Sequence, residues 1–119
     1  MTTFDFDDGK GPVPAHKHPN GGGWVADTAK VAKTAYVGAE ARVYGNAMVF
    51  GNARVYGDAR VFGDAQVFGD ARVFGNAQVY DNAGVYDNAK VYGNAKDFDT
   101  SEDIFIEMNG KRYKLVEIV

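Results

Sequence analysis

Apolar and polar positions along residues 25–96 recur with a period of six that never slips. The twelve units read VADTAK, VAKTAY, VGAEAR, VYGNAM, VFGNAR, VYGDAR, VFGDAQ, VFGDAR, VFGNAQ, VYDNAG, VYDNAK and VYGNAK, with valine first and alanine fifth in every one. Across each unit boundary, A-x-V-[YF] has the two-residue rhythm of a strand, which puts alanine and valine on one side. The remaining pair is most often Gly-Asn or Gly-Asp, residues that accept positive φ and bond to nearby backbone, so it predicts a corner. A strand plus a corner cannot bury its apolar side alone. The hexads must therefore stack into a solenoid.

An aliphatic residue followed four places on by a small one, as in Val25 with Ala29, Val43 with Ala47 and Val61 with Ala65, resembles the hexapeptide-repeat proteins. That resemblance implies an all-β fold, a left-handed parallel β-helix of triangular cross-section. The left hand is implied by the resemblance alone, because parallel crossovers otherwise favour the opposite hand. Three hexads per turn would make four coils of eighteen residues, stacked about 4.8 Å apart. Valine and alanine would fill the prism and leave no internal room for a ligand. Residues 1–24 are expected to form an irregular N-terminal strap, 25–96 the β-helix and 97–119 a C-terminal β-hairpin cap. In that hairpin DIFIEM and KRYKLVEIV flank an Asn109-Gly110 turn. Ile104, Ile106, Met108, Tyr113 and Leu115 would share one face, and Glu107 would lie opposite Arg112.

Residues eighteen apart fall into columns, which sorts the outward side chains by face. The face built on Val31, Val49, Val67 and Val85 shows Lys30, Met48, Gln66 and Gly84 beside Ala32, Phe50, Phe68 and Tyr86. An apolar ladder of Met48, Phe50, Phe68 and Tyr86 predicts a buried contact. The resemblance implies parallel homotrimers, so a homotrimer with this ladder in its interface is the expectation. The face built on Val37, Val55, Val73 and Val91 shows Tyr36, Arg54, Arg72 and Lys90 beside Gly38, Tyr56, Phe74 and Tyr92. The third face shows Trp24, Arg42, Arg60 and Gln78 beside Ala26, Tyr44, Phe62 and Tyr80.

Stacked cations raise the sharpest chemical question. Arg54, Arg72 and Lys90, with Arg42 and Arg60 on the neighbouring face, suit phosphate or carboxylate, while Tyr56, Phe74, Tyr92, Tyr44 and Phe62 offer rings for a base. The competing structural reading is that the long side chains splay over the aromatics in cation–π contacts. In the corner columns Asn46, Asp64, Asn82 and Asn52, Asp70, Asn88, each acid sits between two amides, which avoids stacked carboxylates.

Composition narrows the field. With 119 residues and a net charge of -3, the chain suits one domain and is a poor general binder of nucleic acid. It has no cysteine, which removes disulfides and cysteine-ligated zinc. Neither a secretory signal nor a membrane span is visible, so a cytoplasmic protein is expected.

Acyltransferases and carbonic anhydrases of the resembling family rely on coil histidines. Here the only histidines are His16 and His18, in the strap, and a structural role is expected of them; His16 as a general base near a subunit cleft is the catalytic alternative. No catalytic residue, metal ligand or cofactor site is assigned. The glycine triplet Gly21-Gly22-Gly23 lacks the lysine and hydroxyl spacing of a P-loop and reads as a flexible entry to the first coil. Asp5, Asp7 and Asp8 lack the spacing of a calcium loop.

The strap plus VYGNAR-like repeats also looks like a set of small bacteriophage and bacterial hexapeptide proteins without assigned activity. The leading expectation is a non-enzymatic trimeric protein holding an anionic, nucleotide-like ligand in exterior or intersubunit Arg/aromatic grooves, as a phage-type sequestering protein. A structural or protein-docking scaffold, such as a spacer or virion component, is the alternative. An acyltransferase-like enzyme using His16 or His18 comes third.

Overall fold

Each hexad delivers one short strand that ends at or just past its valine. In the computed structural model, residues 2–92 are described in full, and Gly93, Ile104–Met108 and Lys111–Lys114 as backbone strand. The strands of the repeat are β3 (Trp24–Ala26), β4 (Lys30–Val31), β5 (Tyr36–Val37), β6 (Arg42–Val43), β7 (Met48–Val49), β8 (Arg54–Val55), β9 (Arg60–Val61), β10 (Gln66–Val67), β11 (Arg72–Val73), β12 (Gln78–Val79), β13 (Gly84–Val85) and β14 (Lys90–Gly93). Every third strand returns to the same face. The result is three parallel sheets, β3-β6-β9-β12, β4-β7-β10-β13 and β5-β8-β11-β14. Valine pairs with valine at each step, as in Val25 with Val43 and Val43 with Val61. The chain is thus a parallel β-solenoid of about four turns, with no helix among the described residues.

The inner columns form one continuous core. Val25, Val43, Val61 and Ala35, Ala53, Ala71 are at most 1% exposed, and the other inward valines and alanines among the described residues stay within a few per cent of that, apart from the partly buried Val31 and Ala83. Full burial of each valine contributes about 1.5–2 kcal/mol relative to exposure. Alanine at the fifth place lets opposing walls approach closely. Larger residues there would overfill the prism.

Corners carry the backbone ladder onward. Asn46, Asn52 and Asp58 donate their amides to Gly63, Gly69 and Gly75 carbonyls one coil later at 2.8–2.9 Å. The corner glycines Gly45 to Gly75 have φ of 66–69°, a left-handed conformation that costs a side-chain-bearing residue about 1–2 kcal/mol. They are also crowded: a Cβ on Gly63 would lie 3.0 Å from Asp81 N. Asp81 and Asp87 share the conformation, at 57° and 56°, but belong to the last coil of the repeat. Among the described residues no coil follows at those corners, so a Cβ there has nothing stacked on it. In the first coil, Asp27 and Lys33 avoid the left-handed region. There the Thr28 and Thr34 hydroxyls donate to the Gly45 and Gly51 carbonyls.

The N-terminal segment departs from the irregular strap expected. β1 (Thr3–Asp5) and β2 (Pro12–Lys17) form an antiparallel hairpin, and β2 adds antiparallel to β3 with His16 opposite Val25. The hairpin closes the first edge of the Val25 face. Ala26 leaves a gap in the outer aromatic column of that face, and Phe6, fully buried, fills it. Its ring stacks on Tyr44 at 4.8 Å, Tyr44 on Phe62 at 4.9 Å and Phe62 on Tyr80 at 5.4 Å. Ala26 was the one visible sign of this vacancy.

The glycine triplet closes a second edge. Gly23 donates its amide to Val37 O and Val37 donates to Asn20 O, both at 3.0 Å, while a Cβ on Gly21 would fall 2.1 Å from Val37 O. Gly21 and Gly23 are required for close approach of two backbones, and Gly22 between them has a left-handed φ of 82°, which replaces the expectation of a flexible entry. His18 is 3% exposed and donates through Nε2 to Ala35 O at 2.8 Å. It pins this edge to the coil.

At the other end β15 (Ile104–Met108) pairs antiparallel with β14, and β16 (Lys111–Lys114) with β15. Glu107 stands in register with Lys90 on one side and Arg112 on the other. The turn at Asn109-Gly110, Leu115 and the side-chain face expected of this segment lie outside the described residues, as do 97–103 and 115–119.

Candidate functional site

Along the Val37 face an open groove of about 710 Å³ runs parallel to the solenoid axis. One wall is the strand column Tyr36, Arg54, Arg72 and Lys90; the other is the corner column Thr34, Asn52, Asp70 and Asn88, with Asn20 at the N-terminal end. Register brings the cations together directly: Tyr36 pairs with Arg54, Arg54 with Arg72, and Arg72 with Lys90. Three cations face one carboxylate in a chain whose net charge is -3. Arg54 and Arg72 are exposed, and among the described residues neither side chain has an ion pair, a hydrogen bond or a ring contact. The splayed cation–π arrangement is therefore absent at these two residues.

The aromatic half of the expected site lies elsewhere. Tyr56, Phe74 and Tyr92 form the next column and do not line the groove. Their rings stack on one another, Tyr56 on Phe74 at 5.1 Å and Phe74 on Tyr92 at 5.2 Å, within 10° of parallel. Both faces of Phe74 are thereby occupied, so no base can stack there. Columns of self-stacked aromatics recur on all three faces, including Phe50 on Phe68 at 4.9 Å and Phe68 on Tyr86 at 5.4 Å. Aromatic pairs of this kind contribute about 0.5–1.5 kcal/mol beyond area burial. Tyr36 is the exception: it lines the groove, is 37% exposed, and follows in sequence too plainly from the strand pattern to have stood out.

The second expected group is taken up by the N-terminal hairpin. Arg42 lies over Phe4 at 5.1 Å and its Nη1 is 3.6 Å from Asp7 Oδ2. Tyr44 is buried, and burial raises its phenol pKa above the ordinary value, with the neighbouring Arg60 opposing in part. Phe62 lies between Tyr44 and Tyr80. Arg42 and Tyr44 are thus anchors of the cap and Phe62 packs against the same cluster, and the hairpin that covers this group is not visible in the repeat pattern.

The expected contact ladder remains open in the single chain. Met48, Phe50 and Tyr86 are 37%, 39% and 43% exposed, with Phe68 half-buried between them. The two histidines are separately engaged: His18 in the cap, and His16 through Nδ1 to Asp27 Oδ1 at 2.7 Å. Two of the three amides of the glycine triplet are used internally, Gly22 to His18 O and Gly23 to Val37 O, and two amides so engaged are not free to cradle phosphate. No cluster of three or more potential metal-binding His, Asp or Glu side chains occurs among the described residues, nor any helix long and apolar enough to cross a membrane.

Comparison with curated proteins and with solved structures yields no match. The YdcK beta solenoid repeat matches residues 41–55, 53–67 and 65–81, three windows that each open on an inner-column alanine two hexads after the last. Over that stretch the chain is similar to this beta-solenoid repeat, in agreement with the coils described above.

Proposed function

We propose that this chain is a non-enzymatic binding protein whose groove along the Val37 face holds an anionic ligand. The observation that carries this reading is the adjacent, exposed and unpartnered pair Arg54 and Arg72. Two such cations about 5 Å apart repel by roughly 0.8 kcal/mol even at the dielectric of water. An anion between them converts that repulsion into charge-assisted hydrogen bonds. Lys90 extends the row, and Asn52, Asp70 and Asn88 offer polar partners opposite. A nucleotide-like ligand would use Tyr36 as its ring platform, because the rings of Tyr56, Phe74 and Tyr92 already stack on each other.

The unbroken period of six supports membership of the hexapeptide-repeat class with its left-handed coil, and the VYGNAR-like units support the small phage and bacterial kind. A cytoplasmic sequestering protein is the role consistent with such a groove. Calorimetry at low salt against a panel of pyrophosphate, citrate, linear and cyclic nucleotides and galacturonates tests the reading. Binding of at least one anion, lost when Arg54→Gln and Arg72→Gln are combined, is the expected result. No binding across the panel overturns it.

A second reading is favoured by the exposed Met48, Phe50 and Tyr86 ladder, which suits contact with further copies of the chain in a homotrimer or docking of another protein. Sedimentation giving three times the monomer mass, and monomer for Phe50→Glu, is expected of the trimer. A dispersed monomer at micromolar concentration refutes it.

A further inference from the structure

We infer that the groove is shaped for an extended acidic oligosaccharide, bound one sugar per coil; this rests on the anion reading above. Its chemistry repeats once per rung: Asn52 with Arg54, Asp70 with Arg72, Asn88 with Lys90. Each rung thus offers one cation and one group suited to hydroxyls. Rungs lie about 4.8 Å apart, close to the length of one 1,4-linked pyranose; because successive sugars of such a chain turn by about half a revolution, a sugar whose carboxylate faces Arg72 has neighbours whose carboxylates face the donating amides of Asn52 and Asn88. A peptide strand repeats its side chains on one face only about every 6.8 Å and would fall out of step within two rungs.

Asp70 decides between polyanions. An ionised carboxylate only accepts hydrogen bonds, so its partner must donate. The ring hydroxyls of a uronic acid do so, while the carboxylate of the same sugar meets the guanidinium beside it. Polyphosphate has no hydroxyl to offer and would meet Asp70 as a like charge. Single-stranded nucleic acid relies on ring faces, and the neighbouring aromatic column has spent its own on itself. At the end bounded by Asn20, the Tyr36 ring is 37% exposed and presents apolar surface to the C–H face of a terminal sugar.

Calorimetry on the whole chain at low salt, with 1,4-linked oligogalacturonates of one to six units, inorganic polyphosphate, oligothymidylate and neutral cello-oligosaccharides, tests the inference. Affinity is expected to rise about fivefold or more per added uronate up to three or four units and then level off, since each rung adds on the order of 1 kcal/mol. Neutral oligomers should bind far more weakly. Asp70→Asn, a surface change that leaves the core untouched, should weaken tetragalacturonate severalfold and strengthen polyphosphate. Polyphosphate or oligothymidylate binding as tightly as tetragalacturonate to the unaltered protein would overturn the sugar assignment and leave the anion groove standing. So would affinity independent of chain length. Failure of every anion to bind would remove both.

Discussion

The corner column permits a test in which alanine should be tolerated differently at two of its places. Gly63 and Asp81 both have left-handed backbone, with φ of 67° and 57°, and lie one coil apart. Replacing Gly63 by alanine imposes the left-handed penalty of about 1–2 kcal/mol, of which reduced freedom of the unfolded chain returns about 0.4–1 kcal/mol. The new Cβ would also lie 3.0 Å from the Asp81 amide nitrogen and 3.5 Å from its carbonyl oxygen. Those atoms are backbone held in the ladder, since Asp64 donates to Asp81 O at 2.9 Å. Forcing the coils apart there adds about 1–2 kcal/mol, at the lower end of overpacking costs. Gly63→Ala should therefore cost about 2–3 kcal/mol. Asp81→Ala keeps a Cβ where one already exists and should cost under about 1 kcal/mol, mainly through the lost tolerance of Asp for this conformation. Urea denaturation followed by circular dichroism measures both. Equal costs within about 0.5 kcal/mol would refute the claim that stacking, rather than backbone conformation alone, reserves the inner corners for glycine.

Phe6→Ala should cost about 3 kcal/mol or more, the usual range for emptying a buried aromatic site, and should expose the β1–β2 hairpin to limited proteolysis before the coils unfold. Tyr44 adds a pH dependence with a definite sign. Its folded pKa lies above the unfolded value of about 10, so its contribution is complete below that pH and is lost as pH rises through the folded value. Denaturation midpoints should fall in that alkaline window, and less so for Tyr44→Phe. Arg72→Gln removes stacked like-charge contacts with both Arg54 and Lys90, so it should stabilise the fold by up to about 1.6 kcal/mol at low ionic strength, and the gain should fade in high salt even as anion binding is lost.

The coils were legible because one physical demand, burial of Val and Ala on every turn, repeats at a fixed period and sets the register of all three sheets. Residues eighteen apart do pair, down to Tyr36 with Arg54 and Met48 with Gln66. The cap was not legible from that demand. Phe4 and Phe6 lie outside any period, and their place is determined by a vacancy at Ala26 and by Trp24, on which Phe4 stacks at 4.7 Å. The same holds for Arg42 and Tyr44: the period gives their column placement, but nothing in the repeat shows that an antiparallel hairpin lies against them. Half of the candidate groove was visible as the Arg54, Arg72, Lys90 column. Its partner proved to be the corner column rather than the aromatic one, a matter of which neighbour the long side chains lean toward.

The columns also show where a solenoid of this kind can hold specificity. Inward positions are bound to Val and Ala by the width of the prism, and corner positions largely to Gly, Asn and Asp by backbone conformation. The place after each valine is aromatic through most of the coils, and there the rings stack within 3–14° of parallel, so it serves cohesion between turns. Only the place before each valine is free of these demands. It carries Trp, Arg, Arg and Gln on one face, Lys, Met, Gln and Gly on the second, and Tyr, Arg, Arg and Lys on the third. The first column is partly taken up by the cap and the second shows no sustained charge. The third tolerates a repulsion that any Gln would relieve. A like-charged row that the fold does not require is the feature on which the proposed anion groove rests, which is why that proposal is placed on the Val37 face and not on the aromatic columns.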